Sequence, residues 1–191
     1  MEILKTYEGG PVLIIPKVYY DGRGYFFESF NDKEFKEKVT DTTFVQDNES
    51  HSAYGVIRGM HYQTGKYEQA KLVRVTKGAV VDVVVDMRKD SEFYKKPFDF
   101  YLSAENKRQL YIPRGFAHGF VALQDDTIFQ YKCDNVYNKA SEGAFFFADP
   151  DIAIPWNAWV NFDEVRVSEK DKENPMFEDA VGVKIEEPEE Q

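Results

Sequence analysis

Residues 70–88 read AKLVRVTKGAVVDVVVDMR, and the period of this stretch decides the fold. Side chains of an extended chain alternate between two faces, so Lys71, Val73 and Val75 share one face of a first strand. After a glycine comes AVVDVVVDM, the longest apolar-looking run in the chain, interrupted by Asp82 and Asp86. Neither this run nor any other segment approaches the ~20 apolar residues of a membrane-spanning helix. Outward in both directions the same two-residue period returns. Strand candidates are LIIPKV at 13–18, YFFESF at 25–30 after a DGRG turn, TTFVQDN, GVIRGMHYQ, PFDFYLS, KRQLYIP, HGFVAL, TIFQYKC and GAFFFA. In TIFQYKC, Phe129, Tyr131 and Cys133 lie on one face. Helical periodicity is scarce. Asn31 with Glu34 three residues later has the spacing of an N-terminal cap and predicts one short helix through Val39. Many short strands broken by Gly, Pro and Asn predict an all-β sandwich or barrel.

A chain of 191 residues is long enough for one sizeable core, so residues 1–191 are expected to form a single domain. The formal charge is −10, but residues 163–191 hold 11 acidic and 4 basic residues. The acidity is therefore largely a property of the C-terminal region, and the end at about 181–191 reads as a solvated, frayed tail. Clustered positive charge is missing, which argues against a nucleic-acid partner. The start, MEILKTYEGGPVLIIPK, lacks the form of a signal peptide, so no membrane association and a cytoplasmic location are expected. One cysteine, Cys133, rules out an internal disulfide framework and a thiolate metal cluster.

Chemistry near neutral pH can draw on three histidines, His51, His61 and His118. His51, in the turn-rich NESHSAYG, reads as surface or rim. His61 and His118 each read either as hydrogen-bonded barrel residues or as acid–base groups. The chain has no HxH or HExxH spacing, and no metal is expected. Arg58 and His61 have opposite parity in a regular strand, and a bulge at Gly59 would bring both to one cavity. Tyr131 is either a structural tyrosine or a proton donor. Lys71 either snorkels from its apolar face or stabilises an oxyanion. Asp82 is strand polarity or a carboxylate that orients a histidine. Of Arg23, Arg58, Arg74 and Arg108, one or two could clamp phosphate.

Several long segments occur in an order that resembles the dTDP-4-dehydrorhamnose 3,5-epimerase family: DGRGYFFESF, FVQDNESHS, GVIRGMHYQ, AKLVRVTKGAVVDVVVDMR, LSAENKRQLYIPRGFAHGF, FQYKCDNVY and SEKD. The likeness spans roughly residues 11–171, and RGMHYQ together with LSAENKRQLYIPRGFAHGF is a highly specific combination. The resemblance implies a cupin-type double-stranded β-helix, a jelly-roll barrel with short peripheral helices. It also implies a homodimer and a nucleotide-diphosphate sugar as substrate, with neither metal nor redox cofactor. His61 is similar to the family's catalytic base, Asp171 to the carboxylate that orients it, Tyr131 to the catalytic acid, and Lys71 to the lysine near the developing enolate oxygen. Arg58 and His118 match pocket residues, and Asp82 matches a residue that organises the site. Arg23, Glu28, Gln46, Asn48 and Tyr137 match nucleotide-sugar contacts, with Arg23 crossing from the neighbouring subunit.

The implied reaction is epimerisation at C3 and C5 of dTDP-4-dehydro-6-deoxy-D-glucose. The C4 carbonyl acidifies both neighbouring C–H bonds, because loss of either proton leaves an enolate. A single-position epimerase, a ketoisomerase or a binding-only cupin would use the same fold. The joint presence of His61, Tyr131 and Lys71 favours an enzyme.

Overall fold

A computed structural model describes residues 1–180 of the chain. The acidic tail at 181–191 lies outside the described residues. The described residues form thirteen strands: β1 (Glu2–Lys5), β2 (Val12–Ile15), β3 (Tyr19–Asp21), β4 (Gly24–Phe26), β5 (Gln46–Ser52), β6 (Ile57–Gln63) and β7 (Lys71–Lys77). They continue with β8 (Ala79–Asp86), β9 (Pro97–Ser103), β10 (Gln109–Ile112), β11 (Phe116–Ala122), β12 (Thr127–Cys133) and β13 (Glu142–Ala144). Among the described residues two short α-helices lie outside the sheets, α1 (Asp32–Lys38) and α2 (Glu169–Lys172). No helix among the described residues is long and apolar enough to cross a membrane.

One sheet has six strands in the order β1-β2-β10-β7-β12-β5, and the other five in the order β13-β6-β11-β8-β9. The stretch that decides the fold, residues 71–86, passes from the first sheet to the second at Gly78. There φ is +78°, and a Cβ would stand 2.3 Å from Thr127 Oγ1. The strand β8 is buried from end to end because both of its faces are covered. Val80 and Val84 face the space between the sheets with Val73, Val75, Leu102, Leu110, Phe120 and Phe129. Val81, Val83 and Val85 face outward, under Phe145, Ile154, Trp156 and Phe177 from the C-terminal third. Strands covered on both faces lose the apolar–polar alternation, so the run reads as nearly continuous valine. Two facing antiparallel sheets joined in this way form the jelly roll that the sequence predicts.

Helix α1 covers the outer face of the six-stranded sheet through Phe35, which packs with Leu72 and Tyr111. Its start is as predicted: Asn31 Oδ1 accepts from the Glu34 backbone N–H at 3.0 Å. Two expectations need correction. The strand expected over TTFVQDN begins only at Gln46 and runs on as edge strand β5 to Ser52, so the segment 48–55 is not turn-rich and only residues 53–55 make the turn. Its inward side chains are polar, so no hydrophobic period announces the part beyond Asn48. The aromatic run at 25–30 forms strand only to Phe26, in a two-stranded hairpin of β3 and β4 that joins neither large sheet.

Candidate active site

Strand register assembles the site before any side chain is considered. Across the six-stranded sheet Tyr131 pairs with Val73 and Asn48, and Cys133 pairs with Lys71 and Gln46. Partners directly across a ladder point to the same face, so Lys71, Tyr131, Gln46 and Asn48 all face the interior. On the opposite sheet His118 pairs with His61 and Phe120 with Arg58, so two steps along β11 match three along β6. That extra residue is the bulge expected at Gly59, and it turns Arg58 and His61 into one cavity. Only glycine fits the bulge. Gly59 has φ +137°, and a Cβ there would stand 2.6 Å from Gly119 Cα.

The cavity has a volume of about 550 Å³ and opens between the sheets. Arg58, His61, Lys71, His118, Tyr131 and Asp171 all line it. His61 Nε2 lies 2.6 Å from Asp171 Oδ1, although the two are 110 residues apart in sequence. Asp171 sits in the single turn of α2, which the Ser168 side chain caps by accepting from the Asp171 backbone N–H at 3.1 Å. Burial alone would push the Asp171 carboxyl up. Hydrogen bonds and charge from His61, together with Ser168 and the Gly59 backbone, win and hold it below its usual range. An ionised Asp171 accepts Nε2–H and leaves the lone pair of His61 on Nδ1.

Tyr131 faces this pair from the other sheet. Burial, and then the neighbouring Cys133 thiol, push its hydroxyl up, with Arg58 opposing. The phenol therefore stays protonated at neutral pH. The Lys71 ammonium lies 5.8 Å from the centre of the Tyr131 ring. Burial pushes Lys71 down, while Cys133 and Asp82 pull it back up. Asp82 lies behind the cavity wall, fully buried, with Oδ2 2.8 Å from His118 Nε2. Arg58 is held against the wall by donating from Nε to Ser52 Oγ at 3.1 Å and from Nη2 to the His51 carbonyl at 3.0 Å.

Gln46 donates to Asn48 at 3.1 Å and accepts from the Tyr137 backbone N–H at 3.2 Å, so these three form one group beside the cavity. Arg23 and Glu28 are not brought to it within one protomer. Arg23 is almost fully exposed on the β3–β4 hairpin, paired with Asp21 at 2.6 Å. Glu28 lines a separate cavity of about 440 Å³ with Phe30 and Phe35. His51 is an exposed residue bonded to Asp126 at 3.0 Å, outside the site. Two cavity cations, Arg166 and Lys170, were not expected. Both belong to the charged segment before and within α2, which reads as a solvated face. The spacing of Ser168 and Asp171 is that of a capping box, and it is the one local signal for this segment. Among the described residues no group of three or more His, Cys, Asp or Glu side chains could hold a metal ion.

A jelly roll with a histidine–carboxylate pair on one wall and a protonated tyrosine on the other is equipped to move protons. Fold and site together define a cupin-type isomerase. A family model described as dTDP-4-dehydrorhamnose 3,5-epimerase matches residues 6–179, and the chain belongs to that family. The dTDP-4-dehydrorhamnose 3,5-epimerase of Methanothermobacter thermautotrophicus is 46% identical over 180 residues, covering 91% of this chain and 96% of the relative. Among solved structures, the enzyme of that name from Elizabethkingia anophelis superposes with a TM-score of 0.87 at 49% identity, covering 94% of this chain and 97% of the other. The dTDP-6-deoxy-D-glucose-3,5-epimerase of Legionella pneumophila, solved in complex with dTDP-4-keto-L-rhamnose, has a TM-score of 0.85 at 41% identity, with 92% of each chain covered.

Proposed function

We propose that His61 and Tyr131 act as base and acid on opposite faces of a nucleotide-linked 4-keto sugar. The reaction is epimerisation at C3 and C5 of dTDP-4-dehydro-6-deoxy-D-glucose to dTDP-4-dehydro-L-rhamnose. The observation that carries this reading is the placement of the His61–Asp171 pair and Tyr131 on facing sheets across one cavity. His61 Nδ1 takes the C3 or C5 proton, and the C–H electron pair moves into an enolate whose oxygen is stabilised by Lys71. The Tyr131 hydroxyl returns a proton to the other face and inverts the carbon. Imidazolium and phenolate then re-equilibrate with solvent, and the cycle repeats at the second carbon.

Arg58 and Arg166 supply the positive charge that a diphosphate needs, with His118 lining the same cavity. Gln46, Asn48 and the ring of Tyr137 receive the nucleoside. The β3–β4 hairpin exposes Tyr19, Tyr20, Tyr25 and Phe26. An apolar patch of this kind favours a homodimer in which the hairpin seats on a second copy and carries Arg23 and Glu28 to that copy's site. A nucleotide-activated substrate fits the cytoplasmic location expected from the sequence.

The test is turnover in deuterated water with NMR readout of C3 and C5. Wild-type protein should incorporate deuterium at both carbons and form the inverted product. His61→Ala should abolish exchange, whereas Tyr131→Phe should retain exchange but form little product. Wild-type rates in both variants would refute the roles.

A further inference from the structure

We propose that Glu142 is a positioning residue that keeps Asp171 on His61. The inference rests on the reading of those two residues as orienting carboxylate and base. Helix α2 is four residues long, too short to hold its own shape. Upstream its segment is tied to the barrel at Arg166, whose carbonyl accepts from the Ile57 N–H at 2.9 Å and whose N–H donates to the Gly55 carbonyl at 3.0 Å. On the side of the cavity mouth the Lys170 ammonium donates to Glu142 Oε1 at 2.6 Å. Lys170 is the residue before Asp171.

Glu142 in turn is fixed to the strand that bears the histidine. Strand β13 pairs with β6 so that Ala144 lies opposite His61 and Glu142 opposite Gln63. The two strands are pressed together at Gly143, where a Cβ would stand 2.3 Å from the Tyr62 ring. The second carboxylate oxygen of Glu142 accepts from the Tyr137 hydroxyl at 3.2 Å, which limits its rotamers. The contacts close a ring: His61, β6, β13, Glu142, Lys170, Asp171 and back to His61. Burial would raise the Glu142 carboxyl, but the Lys170 ammonium, the Tyr137 hydroxyl and His61 hold it below its usual range. It is therefore anionic whenever the enzyme works at neutral pH.

A lysine whose side chain is 62% exposed contributes little to global stability through such a pair. Its consequence is geometric, because small misplacements of a proton-transfer group cost large factors in rate. Glu142→Gln preserves size and one acceptor for Tyr137 but removes the charge that grips Lys170.

The experiment measures kcat, inhibition by dTDP and Tm for Glu142→Gln, Asp171→Asn and the double variant. Glu142→Gln should lower kcat roughly tenfold, with Tm and the dTDP inhibition constant close to wild type. Adding Glu142→Gln to Asp171→Asn should cost nothing further, because the group it positions is already gone. Lys170→Met should reproduce the kcat loss and be non-additive with Glu142→Gln. Wild-type kcat in Glu142→Gln, an equal loss in the Asp171→Asn background, or full kcat in Lys170→Met would each overturn the inference. Failure of wild-type protein to turn over the 4-keto sugar nucleotide would instead refute the functional reading beneath it.

Discussion

Asp171→Asn isolates the carboxylate's charge from its shape. In wild type the carboxylate is buried and 2.6 Å from His61 Nε2. While the imidazole is neutral this contact is one hydrogen bond. In the proposed reaction it becomes an ion pair once His61 has taken a substrate proton, so the interaction strengthens toward the transition state. A charge-assisted hydrogen bond is worth about 1.5–3 kcal/mol. Two unit charges with centres about 4 Å apart, at an effective dielectric of about 20, attract by about 4 kcal/mol. At about 1.4 kcal/mol per tenfold, these bounds give a fall in kcat of roughly 10–10³. The Michaelis constant should change less than about threefold, because a His61 acting as base is neutral when substrate binds and makes no ion pair then. Deuterium incorporation at C3 and C5 under saturating substrate measures the loss directly. A kcat within about threefold of wild type, or a loss confined to KM, would refute the role of the charge. The same substitution has a stability signature. The folded Asp171 carboxyl lies below its unfolded range. It therefore stabilises the fold above the unfolded titration, and the contribution fades as pH falls through the folded one. Calorimetry should show a lower Tm for Asp171→Asn at neutral pH, with the gap to wild type closing in acid.

Gly59→Ala should destabilise the protein by about 3 kcal/mol, a Tm fall on the order of 10 °C. The new methyl would meet the Gly119 backbone at 2.6 Å and force a residue with a side chain to φ +137°; an unchanged Tm would mean that the bulge is not rigid. If Arg23 serves the neighbouring copy, Arg23→Ala and His61→Ala proteins should each be poorly active alone and recover activity when mixed and allowed to exchange subunits. A mixture no more active than its components would place Arg23 outside the partner's site.

The parts of the site that the sequence made legible are those carried by regular alternation over an apolar face. Lys71 with Val73 and Val75, and Tyr131 with Phe129, could be set inward because their neighbours are core residues. Beyond Asn48 strand β5 is illegible for the converse reason. Its inward residues Gln46, Asn48 and Ser50 face a polar cavity, so the hydrophobic period that marks a half-buried strand is missing. Parity alone set Arg58 and His61 on opposite faces, and only Gly59 hinted that a bulge would reunite them. The contact between His61 and Asp171 spans 110 residues and leaves no local trace. It entered through the resemblance of SEKD to a family motif. Arg166, Lys170 and Glu142 were missed because a charged residue bordering a cavity cannot be told from a solvated one by composition.

The buried polar cluster behind the cavity makes little sense as a device for holding the fold. Lys71, Asp82 and His118 are drawn together where hydrophobic residues of similar volume would pack at no electrostatic cost. Among the described residues Asp82 Oδ1 has no hydrogen-bond partner at all, and its other oxygen is committed to His118. Burial pushes the Asp82 carboxyl up and the Lys71 ammonium down; His118 first and Lys71 after it oppose the shift at Asp82, while Cys133 and then Asp82 oppose it at Lys71. A lysine fully satisfied by its own carboxylate would have no field to offer an enolate, and one without any carboxylate would surrender its proton. Asp82 shared between Lys71 and His118 lies between these limits. In the proposed reaction the incoming enolate oxygen supplies the missing negative charge. An arrangement that costs stability before substrate binds and becomes complete only as charge develops is the pattern that distinguishes a preorganised site from a merely tolerated buried ion pair.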